Sequence, residues 1–275
     1  MGVNPPSHEK SEAVALGWAA ALTVAAALAM APVCAAAAYR AEGSFYLDSM
    51  YSLQDFGPNP DGGLGTSLVG DGKSLTGGVS WGKEQYEATL ATGRVVASAE
   101  VHTAPGIRSR HEVTALAAHA RYEDALLVHV PSGTYHFPKV TLHGHADAVK
   151  EAQGCDAAGN CAKAGIDAHV AVSASAGGDE FNWFFGWGWD ATSMVDHRDF
   201  TLTATLPVNG WTWGGDYWVS VEWFAHAGAR LGSLEGAQDA LATFSGSLTA
   251  VDLPLGFTVA GSESGVFLSS PVPEP

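Results

Sequence analysis

Long stretches of this chain alternate apolar and polar residues with a period of two, the mark of strands buried on one face. From Ile166 to Ser175, the side chains of Ile166, Ala168, Val170, Val172 and Ala174 share one face, and those of Asp167, His169, Ser173 and Ser175 share the other. Phe200, Leu202, Ala204 and Leu206 alternate with Thr201, Thr203 and Thr205. Val219, Val221 and Trp223 oppose Ser220 and Glu222, and Ala240, Ala242, Phe244 and Leu248 oppose Asp239, Thr243, Ser245 and Ser247. The same reading predicts strands at 44–54, 79–90, 93–103, 113–121, 124–130, 136–146, 181–189 and 256–267. Turn-forming clusters such as "GPNPDGG", "PSG", "AGG", "VNG" and "WGG" separate them. No amphipathic helical window follows residue 39. The pattern predicts an all-β fold, an antiparallel β-sandwich or jelly roll over residues 39–268, with 55–78 as a long Gly-, Pro- and Asp-rich loop.

Composition sharpens this picture. Hydrophobic residues make up 47% of the 275, enough to fill a core, and charged residues only 15%, against about 25% in ordinary domains. The formal net charge is −16. Such a surface repels phosphate backbones and anionic headgroups, so nucleic acid is not an expected partner. Neutral polysaccharide and divalent cations remain compatible with it.

The first 38 residues read as an export signal. Lys10 lies in a polar opening, the run from Ala13 to Tyr39 carries no charge, and Pro32 precedes a string of alanines. That order of basic, apolar and small residues predicts a cleaved signal peptide, with signal peptidase acting after Ala38. The rival is an uncleaved anchor, since the apolar run is long enough to span a bilayer. Cys34 follows Val33, not the small residue of a lipid-attachment site, so lipidation is not expected. Export implies an oxidising compartment, where the remaining cysteines, Cys155 and Cys161 of "CDAAGNC", are expected to form a loop-stapling disulfide. No C-x-x-C spacing marks them as redox-active.

Candidate chemistry is sparse. "HGHAD" sets His143 and His145 on one face of a strand, where two imidazoles can share a metal. The motif resembles the His-x-His-x-Asp-His signature of the metallo-β-lactamase family, but Ala148 stands in place of its last histidine and no αβ/βα pattern surrounds it. The pair therefore reads as the polar face of a strand, and no metal or other cofactor is expected. No Gly-x-Ser-x-Gly, phosphate loop or His-Glu-x-x-His occurs. "NPDGG" and "GDG" lack the distal glutamate of a calcium loop. The aromatic runs "FNWFFGWGWD" and "WTWGGDYW" carry Trp183, Trp187, Trp189, Trp211 and Trp213. These rings either fill the space between two sheets or form a platform on which sugar rings stack.

The chain closes on "SSPVPEP", and Pro273, Glu274 and Pro275 resemble the motif that opens the sorting signal of the PEP-CTERM family of Gram-negative exported proteins. "AAHARYEDALLV" and "LPLGFTV" are similar to strands recurrent in that family. The resemblance implies recognition of the motif by an exosortase, and association with exopolysaccharide, biofilm or floc. In the family a membrane helix and an arginine-rich tail follow the motif, so exosortase handling is expected of a longer form than this sequence. Residues 269–275 then form a linker and a truncated motif. The expectation is a non-enzymatic structural or adhesive protein of the periplasm, cell surface or extracellular matrix. Its rivals are a carbohydrate-binding sandwich that uses the tryptophans, and a secreted hydrolase whose site carries no familiar motif.

Overall fold

The computed structural model describes residues 39–49, 52–56, 67–70, 75–76, 79–107 and 112–268. The expected leader over 1–38, with Cys34, and the segment 269–275, with Pro273, Glu274 and Pro275, lie outside the described residues. Within them run sixteen strands, in chain order β1 (Arg40–Ser49), β2 (Ser52–Phe56), β3 (Ser67–Gly70), β4 (Leu75–Thr76), β5 (Ser80–Thr89), β6 (Arg94–Thr103), β7 (Val113–Val130), β8 (Gly133–His136), β9 (Lys139–Gln153), β10 (Lys163–Ala174), β11 (Gly177–Asp190), β12 (Met194–Thr205), β13 (Asn209–Thr212), β14 (Gly215–Arg230), β15 (Gln238–Asp252) and β16 (Thr258–Ser262).

They form an antiparallel β-sandwich. The first sheet is ordered β11-β10-β14-β7-β1-β2, and the second β12-β9-β15-β6-β5-β3. β14 occupies one edge of β7 throughout, so β1 and β16 share the other. β3 and β4 share an edge of β5 in the same way. β8 and β13 make a separate two-stranded ribbon.

The alternation read from the sequence sets which side chains face inward. Tyr122, Leu126, Val128, Val170, Val221 and Trp223 of the first sheet meet Val95, Leu142, Phe200, Leu202, Phe244 and Leu248 of the second in one core. Trp223 is the largest fully buried side chain. Phe200 meets it edge-on at 5.4 Å, and Gly246 on β15 leaves the room it needs. A Cβ at Gly246 would lie 2.2 Å from Trp223 Cζ2, well inside van der Waals contact.

Several strand boundaries differ from the sequence reading. β7 runs unbroken through "YED", where a break between two strands is expected. Asp124 points inward there, between Tyr122 and Leu126. It is only 4% exposed, and it accepts hydrogen bonds from the Ala125 and Ser264 amides at 2.7 and 3.2 Å and from the Ser264 hydroxyl. A buried carboxylate supplied with three donors does not interrupt a strand. The strand expected at 44–54 is the antiparallel pair β1 and β2. That expected at 136–146 divides between the end of β8 and β9, and β3 and β4 lie within the expected 55–78 loop.

Buried polar groups also join the two sheets. Glu112, fully buried ahead of β7, accepts from the Val79 and Ser80 amides at 3.0 and 2.9 Å and from the Ser80 hydroxyl at 2.7 Å, beside β5. Lys150 on β9, 2% exposed, donates to Asp190 on β11 at 2.7 Å. Burial raises the Asp190 pKa, but the Lys150 ammonium and the Thr192 hydroxyl and amide outweigh it and hold the carboxyl below its ordinary range. The C-terminal turn closes over the core. Phe267 packs 6.0 Å from Tyr122, and the Leu268 amide donates to the Leu90 carbonyl at 3.2 Å.

Candidate functional site

One end of the sandwich carries exposed aromatic rings. β7 and β12 each lead toward a strand of the ribbon, β8 and β13, which pair with Trp211 opposite Thr134 and Asn209 opposite His136. The period of two sends Tyr135 inward, edge-on to Phe257 at 5.2 Å, and sends Asn209, Trp211, Thr134 and His136 outward. Trp211 is 65% exposed and Trp213, just past the strand, 86%.

Backbone hydrogen bonds fix the ribbon to the sandwich. The Phe137 amide donates to the Val208 carbonyl at 2.7 Å, and the Leu206 amide to the Pro138 carbonyl at 2.9 Å. The Ser132 hydroxyl holds the Trp213 carbonyl at 2.7 Å. The indoles therefore project from a backbone anchored on both sides of the ribbon. Their centroids are 6.2 Å apart and their planes 82° from parallel. The two rings make a corner, so a sugar stacked on one would meet the edge of the other. Trp218, 47% exposed, lies on the outer face of β14 near its start. Polar partners lie nearby: His129 pairs with Asp216 at 2.8 Å, and His136 with Asn209 at 2.9 Å. Such groups hold hydroxyls in the plane of a sugar while indole faces cover its apolar side.

The remaining sequence candidates divide. Trp183, Trp187 and Trp189 lie on β11, where Trp183 stands opposite Ala168 in register, but their side chains are outside the described residues. Cys155 and Cys161 form the expected disulfide. His143 and His145 do share the outer face of β9, and each is engaged by carboxylates. His143 meets Asp252 at 2.9 Å. His145 meets Asp199 at 2.8 Å and Asp147 at 3.0 Å, and Asp147 also meets His197 at 2.6 Å. The Asp199 hydrogen bond, with the Asp147 charge behind it, raises the His145 pKa against the opposing effect of burial. Burial pushes Asp147 up, but hydrogen bonds from His197 and His145 leave it below the ordinary carboxylate range. Among the described residues no group of three or more His, Cys, Asp or Glu is arranged to hold a metal ion.

Trp218 was within reach of sequence reasoning. Val219, Val221 and Trp223 point inward, so the even-numbered neighbours, Trp218 among them, must point out. The chain matches no protein-family model. No curated protein matches it in sequence.

Proposed function

We propose that this protein is an exported, non-catalytic adhesive sandwich that holds extracellular polysaccharide through the aromatic corner of Trp211 and Trp213, with Trp218 beside it. The observation that carries this reading is the exposure of two adjacent indoles on an anchored ribbon, in a fold that buries Trp223 completely. An apolar surface of that kind is costly in water unless a partner covers it. The uncharged rings suit a neutral glycan, which the charge of −16 does not repel. The signal-like leader, the disulfide and the PEP-CTERM-like tail support export to a polysaccharide matrix.

The test is retention of the full chain on insoluble neutral polysaccharides, cellulose and curdlan among them. The Trp211→Ala/Trp213→Ala double variant should keep the wild-type melting temperature and lose retention by about tenfold or more, since anchoring aromatics each contribute on the order of 1–2 kcal/mol. Equal retention of the double variant, or no retention of the wild type on any such polymer, would overturn the reading.

A further inference from the structure

The angle between the two exposed indoles carries more than their presence does. Trp211 and Trp213 are two residues apart, and on a continuous strand such a pair stands side by side on one face. Rings set that way would make a flat platform. β13 ends at Thr212 instead. Gly214, at φ +92°, takes a left-handed conformation that suits glycine and turns the chain into β14. The Ser132 hydroxyl, from the facing loop, holds the Trp213 carbonyl at 2.7 Å. Trp213 is thereby rotated out of line with Trp211, and the two planes stand 82° apart with centroids at 6.2 Å.

The corner exists before any ligand arrives. Edge-to-face contact is a favoured geometry of aromatic pairs, because the positive rim of one ring meets the negative face of the other. Flattening the pair into a platform would forfeit that contact. A ligand that fits the corner as it stands binds without that cost. Both rings also keep most of their surface open to water.

Neutral glucans differ from one another in the same respect. In a flat ribbon such as cellulose, each sugar is turned over relative to the last and all the rings stay in one plane. Such a chain lies flat on coplanar aromatic rings. In a coiled glucan the linkage sets each ring at an angle to its neighbour, and successive apolar faces point different ways. A sugar stacked on one indole here meets the edge of the other. A second sugar can lie flat on that other indole only when it is turned relative to the first.

We infer that the corner of Trp211 and Trp213 selects a coiled neutral glucan over a flat one. This rests on the polysaccharide reading above and names the shape of chain that the site takes. Each indole covers the apolar face of its own sugar. The paired His136 and Asn209, outward on the same ribbon, meet the hydroxyls at the edge.

The experiment is isothermal titration of the full chain with three glucose hexamers that differ only in linkage: laminarihexaose and maltohexaose, which coil, and cellohexaose, which is flat. The tighter of the two coiled hexamers should bind at least about fivefold more tightly than cellohexaose, as expected when two aromatic anchors engage rather than one. The comparison of the two coiled hexamers identifies the linkage. Trp211→Ala and Trp213→Ala, made singly at these exposed positions, should each weaken that hexamer by about fivefold or more at an unchanged melting temperature. A smaller margin over cellohexaose, no binding of any hexamer, or one silent single variant would overturn the inference. Retention on neutral polymers, lost in the double variant, with no preference among the hexamers would sink the selection for shape and leave the polysaccharide reading standing. Absence of retention on every polymer would sink that reading itself.

Discussion

The two ends of β14 break the ordinary rules of a sheet surface in opposite ways. Where β14 begins, Trp211, Trp213 and Trp218 leave large apolar rings in water. Where it ends, about 50 Å away at the usual rise of an extended chain, Arg230 faces Lys163 across the strand pair in a strongly acidic protein. The exposed indoles do not serve the stability of the isolated chain, and they are held on an anchored ribbon. They suit a neutral surface that displaces water. Local choices that work against folding, retained on rigid supports, are where function is expected.

Weakening the core between these ends should reach the aromatic one. Trp223 lies midway along β14, and Trp223→Ala should cost about 3–5 kcal/mol, lowering the melting temperature by about 10 °C in calorimetry and weakening neutral-polymer retention. If retention survived undiminished while the chain was partly unfolded, the ribbon would not depend on the sandwich.

The indole double variant should leave stability unchanged in a denaturation titration.

The smallest effect belongs to the imidazole–carboxylate array on the second sheet, away from both ends. The folded pKa of His145 is raised above its ordinary 6.5, first by the Asp199 hydrogen bond. That contribution is fully present below the unfolded value and is lost as pH rises through the raised one. Asp199→Asn should therefore lower the melting temperature at about pH 5.5 and leave it unchanged at about pH 9. The side chains are well exposed, so the drop should be about 2 °C or less. Neutral-polymer retention should not change.

The sequence made the sandwich legible because one period governed it. Ile166 to Ala174 and Val219 to Trp223 lie on the predicted faces. It missed the continuity of β7 through "YED", because a carboxylate among apolar residues looks like a break until Ser264, 140 positions from Asp124, is seen to supply donors. It missed β13, because the glycines of "VNG" and "WGG" that mark turns also bracket a four-residue strand that exists only through pairing with β8. The aromatic runs showed that rings were plentiful but not which were wet. The pairing of Lys163 with Arg230 left no local trace, since they become neighbours only when β10 pairs with β14.

The seal made by Asp124, Ser264 and Phe267 bears on how this protein transmits a pull. A tug on the chain beyond Leu268 first meets Phe267, seated against Tyr122, and the Ser264 contacts to Asp124. Peeling β16 from β7 strips the Asp124 carboxylate of its two Ser264 donors, leaving only the Ala125 amide, and uncovers an aromatic ring in the same motion. Tension applied there is carried into β7, at the middle of the first sheet, and the fastening lets go in one step rather than by gradual unravelling.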